Sequence, residues 1–279
     1  MPAEQRRAPP NALTIAGVDP SGGAGVLADV KTFSALGAYA CAVIAALTAQ
    51  NTREVTGIHP VPTDFVARQM DTLFTDVRVD SVKIGMLGTA AITRAVADGL
   101  MRWKPPVVVL DPVMAAKSGD ALLAEDAVAM LKEALLPQAT VLTPNLPEAG
   151  ALTGERAPET VKEMYRACER LRRLLPDHGG RWVMLKGGHL PGPDALDLLF
   201  DGDRMMELPA KRVETKNTHG TGCTLSSAIA ALIPQRAAVP EAVRDAKAYL
   251  TRALAASGEL KVGSGHGPVH HFHALWGAT

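Results

Sequence analysis

Two hydrophobic rhythms alternate along the chain. Short, nearly uninterrupted apolar runs at residues 13–18, 41–47, 81–84, 107–110, 140–142 and 182–185 read as strands covered on both faces. Between them, residues 25–36, 63–74, 90–103, 121–135 and 161–174 carry apolar positions at the three-to-four spacing of a helix with one buried side. Strand and helix in strict alternation predict a three-layer α/β/α fold with a mostly parallel central sheet. The rhythm changes near the end. Residues 195–200 and 204–208 flank Asp201-Gly202-Asp203 and predict a small β-hairpin. Two helices follow, at 221–233 (stopped by Pro234) and at 241–256. Residues 1–10 form a polar, proline-containing lead expected to be loose. No internal repeat or break in composition marks a linker, so a single domain is expected over 11–279.

Composition narrows the function classes. The 279 residues carry 29 basic and 29 acidic side chains, for a net charge of zero. That excludes broad electrostatic capture of nucleic acid or an anionic membrane, although a local anion site is compatible with it. Three cysteines, Cys41, Cys168 and Cys223, contain no Cys-x-x-Cys pair, which argues against a disulfide scaffold or a cysteine zinc site. The longest apolar run, residues 38–47, is about half of a membrane span. The N-terminal region lacks a secretory apolar segment. A soluble cytoplasmic protein is the expectation.

In an open α/β sheet, ligands bind beyond the carboxyl ends of the strands, and several strand ends here are polar or glycine-rich. The first strand runs into GVDPSGGAG, residues 17–25. It has neither the lysine ending of a P-loop nor dinucleotide-fingerprint spacing, so it reads equally as a ligand loop or a tight turn. THGTGCT, residues 218–224, opens a helix whose uncapped N–H groups would favour an anion. Cys223 in that first turn would have its thiolate stabilised by the same field, or would simply be a small buried residue. Asp111, and Asn145 with Glu148 after the next strand, place oxygen ligands at neighbouring strand ends. They suit Mg²⁺ or helix capping. Lys186 ends another apolar strand, where it would meet phosphate or solvent. His266, His270, His271 and His273 lack the spacing of a zinc site and read as a packed or surface segment.

Taken together, the segments AGVDPSGGAGVLADVKTFSALGAY, TAQNT, KIGMLG, DPVMAAKSGD, TPNLPEA, LKGGHL and KNTHGTGCTLS resemble the hydroxymethylpyrimidine and phosphomethylpyrimidine kinases of thiamine biosynthesis. These belong to the ribokinase-like superfamily, and the likeness runs from Ala12 to about His273. It implies ATP- and Mg²⁺-dependent phosphorylation of 4-amino-5-hydroxymethyl-2-methylpyrimidine to its monophosphate and then to its diphosphate. By resemblance, Gly17, Asp29, Gln50, Met86 and Val113 line the pyrimidine pocket. Asp111, Asn145, Lys186 and Thr221 serve the ATP phosphates, and Glu148 and Asn145 the metal. Gly220, Gly222 and Cys223 form the anion hole and base. Sugar-phosphorylating relatives carry Asp where this chain has Cys223, which favours the pyrimidine branch. Relatives of this kind are often homodimers, and the same is expected here. The alternatives are a pyridoxine or pyridoxal kinase of the same superfamily, and a pyrimidine-binding relative that has lost catalysis. Gln50 offers a donor and an acceptor in one amide, which matches the amino group and ring nitrogen of an aminopyrimidine.

Overall fold

The structure is a computed structural model that describes residues 8–114 and 125–276. Among the described residues, nine strands form one sheet: β1 (Asn11–Val18), β2 (Tyr39–Gln50), β3 (Val55–Pro60), β4 (Ser81–Ile84), β5 (Val108–Leu110), β6 (Val141–Leu142), β7 (Trp182–Lys186), β8 (Asp197–Phe200) and β9 (Met205–Leu208). Their order across the sheet is β3-β2-β1-β4-β5-β6-β7-β8-β9. The central pairings are parallel, while β3, β8 and β9 run antiparallel to their neighbours. The expected hairpin is present, and it extends the main sheet through β7.

Helices cover both faces. On one side lie α2 (Thr63–Phe74), α3 (Ala90–Trp103), α4 (Glu125–Met130, continued by a wider turn over Leu131–Leu135), α5 (Leu146–Thr153) and α6 (Val161–Arg173). On the other lie α1 (Gly25–Ala35), α7 (Thr221–Leu232) and α8 (Val239–Ala255). The period of two along each strand sorts the core between these faces. Leu13, Ile15, Val82, Ile84 and Leu110 join the first core. Ala12, Val109, Val141 and Met184 join the second, with Ile229 of α7 and Val243 of α8. Local sequence sets the helix starts: Thr89 Oγ1 accepts from Ile92 N at the head of α3, and Thr160 with Glu163 forms a reciprocal cap on α6.

Two elements depart from the sequence expectation. The second strand continues to Gln50 and turns back as β3, an edge strand whose residues are mostly exposed. It therefore carries no apolar run to announce it. The segment after β6 forms α5, whose start is fixed by Asn145 and Glu148 capping each other. Residues 1–7 of the expected loose lead, residues 115–120 of the DPVMAAKSGD segment and the first four residues of the helix expected at 121–135 lie outside the described residues. Among the described residues, no helix is long and apolar enough to cross a membrane.

Candidate active site

The sheet's strand order reverses at β1, which pairs with β2 on one side and with β4 on the other. Such a switch point leaves a crevice at the carboxyl ends of the strands. A cavity of about 810 Å³ occupies it, a volume suited to small-molecule substrates. Its lining includes Gly17, Gln50, Met86, Val113, Asp111, Asn145, Glu148, Lys186, Gly220, Thr221, Gly222 and Cys223. Twelve of the thirteen residues singled out in the sequence thus converge from loops spread over the chain.

Asp29 is the exception. It is fully buried on α1, and its carboxylate is taken up by the Lys83 ammonium at 2.9 and 3.0 Å and by the Thr14 and Ser227 hydroxyls at 2.6 Å each. The expectation that Asp29 borders the substrate therefore gives way to a place behind the cavity wall. Its four lone-pair positions are already filled.

At the pyrimidine end expected from the resemblance, Gly17 N donates to Met86 O at 3.0 Å. A side-chain carbon at Gly17 would stand 3.3 Å from the Met86 methyl, so a larger residue there would press that methionine back. Gln50 ends β2, half-buried, with Thr48 Oγ1 3.2 Å from its Oε1.

At the other end, Lys186 Nζ donates to Asp111 Oδ1 at 2.9 Å and stands 3.9 Å from Glu148 Oε2. Burial works against the Lys186 ammonium, but the two carboxylates hold it above the ordinary lysine range. Burial likewise opposes ionised Asp111, yet Lys186 and Lys83 keep that carboxyl below its usual value. Glu148 differs. Burial, countered by Lys186 and reinforced by Asp111, pushes it up to about 7. Asn145 Oδ1 accepts from Glu148 N at 2.9 Å, and Glu148 Oε2 accepts from Asn145 N at 2.7 Å. Capping and site membership are therefore both true of this pair. One lone pair of the Asn145 oxygen is taken by Glu148 N, which leaves the second lone pair and the NH₂ to present to a ligand. Lys247 Nζ donates to Asp197 Oδ2 at 2.7 Å, and Asp197 Oδ1 accepts from Gly187 N at 2.8 Å, which fixes the turn that follows Lys186.

Between the two ends stands the first turn of α7. No side chain caps it, and Gly220, Thr221, Gly222 and Cys223 line the cavity, so the positive end of the helix dipole lies at the cavity wall. A side-chain carbon at Gly222 would lie 3.3 Å from Lys186 Nζ. Gly220, at φ +74°, would drive one to 1.8 Å from the Gly23 carbonyl oxygen. The helix start is thus pressed against the β1–α1 loop. His219 Nε2 donates to Asp19 Oδ2 at 2.7 Å, and Asp19 also accepts from Ser21 N, Ser21 Oγ and Ala24 N. Burial opposes the Asp19 charge, but the bonds from His219 and Ser21 hold its carboxyl below the usual range. Cys223 opens onto the cavity, yet burial pushes its thiol up to about 11, relieved in part by Lys83. Of the two readings open for Cys223, a field-stabilised thiolate and a small buried residue, burial is the larger influence on the free thiol.

Sequence reasoning passed over Lys83, Asp19, His219, Asp197 and Lys247. Lys83 did leave a signal, a charge inside a run that otherwise reads as buried strand. Of the C-terminal histidines, His271 Nε2 lies 3.1 Å from Thr224 Oγ1, and His270 stacks edge-on against Trp276. They pack against their neighbours. Among the described residues, no group of three or more His, Cys, Asp or Glu side chains could hold a metal.

Comparison with known proteins places this geometry. A family model described as phosphomethylpyrimidine kinase matches residues 19–270. The hydroxymethylpyrimidine/phosphomethylpyrimidine kinase of Escherichia coli (strain K12) is 54% identical over 266 residues, covering 95% of this chain and 98% of that protein. The crystal structure of phosphomethylpyrimidine kinase from Clostridium difficile 630 superposes with a TM-score of 0.77 at 38% identity, over 88% of this chain and 99% of that one. The pyridoxal kinase from Staphylococcus aureus, in complex with AMP-PCP and pyridoxal, superposes with a TM-score of 0.87 at 31% identity, over 97% of this chain and 96% of that one.

Proposed function

Because this chain belongs to the phosphomethylpyrimidine kinase family, we propose that its cavity carries two phosphoryl transfers from ATP. The first goes to the hydroxymethyl group of 4-amino-5-hydroxymethyl-2-methylpyrimidine, and the second to the resulting monophosphate. One observation carries the reading: a single cavity holds Gln50, Met86 and Val113 at one end, Lys186, Asp111 and Glu148 at the other, and the open start of α7 with Cys223 between them.

Phosphoryl transfer needs in-line positioning and charge neutralisation more than covalent help. Gln50 orients the aminopyrimidine edge through its amide, and Gly17, Met86 and Val113 pack the ring. Lys186 and the Asn145 NH₂ bind the phosphates of ATP, while Thr221 and the N–H groups of Gly220 and Gly222 receive the developing charge on the transferring group. Cys223, as thiolate, takes the proton of the acceptor alcohol as the new O–P bond forms. Leu250, Leu254 and Val213 on the cavity wall offer an apolar seat for the adenine base.

Glu148 and Asp111 are hard oxygen donors, and two carboxylates fit Mg²⁺, which retains several waters and completes its shell with substrate phosphates. They would hold the ion together with Asn145. When bound it supplies charge neutralisation to the phosphates.

We read the working unit as a single ribokinase-like domain acting in the cytoplasm as a homodimer, with no nucleic-acid or membrane partner. Balanced charge and three unpaired cysteines support this, as do exposed Leu47 and Ile58 on the β2–β3 edge. Likeness to pyridoxal kinases keeps vitamin B6 alcohols as a second acceptor class, which lack the amino group that Gln50 would read. ADP release from ATP and Mg²⁺ with each alcohol in turn is the test. Turnover with the aminopyrimidine well above that with pyridoxal is expected, and the reverse order would refute the assignment.

A further inference from the structure

Lys83 is a lysine inside a strand of buried residues. Alternation along β4 sends Val82 and Ile84 into the core under α2 and α3 and leaves Lys83 on the opposite face, beneath α1 and α7. Its side chain and that of Asp29 are both 0% exposed. A fully buried ion pair generally adds little stability over well-packed apolar side chains, so this one calls for a reason other than holding the fold together. Its location supplies the reason. Ser227, which donates to Asp29, is one helical turn beyond Cys223, and α7 packs across β1, β4 and β5. Lys83 and Cys223 border the same cavity.

We propose that Lys83 is a positioning residue for the acceptor reaction: clamped by Asp29, it holds a fixed positive charge beneath the first turn of α7 and so favours the thiolate of Cys223. This rests on the reading of Cys223 as the base. The groups that act on the thiol come from every element packed around it: Lys83 from β4, Asp29 and the Gly25 N–H from α1, Asp111 beyond β5 and Lys186 at the end of β7. The two carboxylates oppose ionisation, and after burial itself Lys83 is the largest influence. Asp29 restrains the ammonium in place and partly offsets its field. Lys83 keeps its own protons throughout, and the proton from the alcohol goes to Cys223 sulfur.

Alkylation of Cys223 by iodoacetamide reads this directly, because the thiolate attacks carbon and iodide leaves. Peptide mass separates Cys223 from Cys41 and Cys168. In the free full-length enzyme at pH 8, Lys83→Met should slow Cys223 alkylation by about tenfold or more, while Asp29→Asn should not slow it. The proposal is overturned if Lys83→Met stays within about twofold of the parent, or if Asp29→Asn slows the reaction as much, which would make the pair structural only. Should Lys83→Met fail to fold by circular dichroism, the Asp29→Asn/Lys83→Met double variant is compared with Asp29→Asn alone: the added loss of Lys83 should slow alkylation by about tenfold, and a difference within about twofold overturns the proposal. If alkylation responds as expected while Cys223→Ala keeps full alcohol kinase activity, the base assignment fails and the Lys83–Cys223 coupling stands.

Discussion

Replacing Cys223 by alanine should separate the two phosphoryl transfers that share the cavity. Burial pushes the thiol up to about 11, so at pH 8 only ~1 in 10³ molecules of free enzyme carries the thiolate, and each lower pH unit costs another factor of ~10. An alcohol acceptor must lose its proton as the O–P bond forms. Its kcat should therefore rise about tenfold per pH unit between pH 6.5 and 9 in the parent enzyme, and removing the base should cost ~10²–10⁴-fold. A phosphate monoester has a second pKa of about 6 and is already an anionic nucleophile above pH 7. The substitution leaves the backbone N–H groups of Gly220 and Gly222 in place, so the second transfer should lose less than about tenfold and stay nearly flat with pH. The assay is ADP release by one variant on both acceptors across that pH range. Equal losses on the two acceptors, or an alcohol rate that keeps the parental slope, would refute the role of base and leave Cys223 as a packing residue.

Two further substitutions probe the ends of the cavity. Gln50→Ala should weaken binding of the aminopyrimidine by about 1–3 kcal/mol, because its buried polar edge is left unpaired. ATP affinity should be unchanged by calorimetry, and equal loss for both ligands would make Gln50 structural. Glu148→Gln should lower kcat with little change in pyrimidine Kd, and should also change the pH dependence of stability. Burial, against the pull of Lys186, raises Glu148 in the folded state from the ordinary 4.5 to about 7. The stability it contributes is thus present below about pH 4.5 and lost as pH rises through about 7. In metal-free buffer the Gln variant should gain in Tm relative to the parent between pH 5 and 8, and a constant difference would contradict a buried, reluctantly ionised Glu148.

The central strands were legible because burial on both faces leaves uninterrupted apolar runs, as at Ser81–Ile84 and Val108–Leu110. β3 was not, since Val55–Pro60 packs almost nothing and an exposed edge strand has no hydrophobic period to read. α5 is eight residues long with Pro147 near its start, and its sequence reads as a turn until Glu148 is seen capping Asn145. Within the site, residues following a strand could be placed by the switch-point rule alone, and Asp111, Asn145, Glu148 and Lys186 all fall where it put them. The resemblance supplied Gln50 and Met86, which spacing does not mark. What stayed hidden was pairing across the fold. Asp29 sits on α1, just beyond the glycine-rich loop, but its partner Lys83 is 54 residues away, and no local pattern says that the two meet. Asp19 and His219 belong to the same class of invisible contact.

That last pair bears on how the enzyme comes into being. The hydrogen bond between His219 and Asp19 spans 200 residues, and the Gly220 backbone lies against Gly23 over nearly the same interval. Contacts of such sequence separation carry a large loop-closure cost and form late. The glycine-rich loop after β1 is synthesised early, yet it meets its counterpart only when the start of α7 arrives, after most of the sheet has been made. Recovery of catalytic turnover should accordingly lag recovery of helical circular dichroism during refolding.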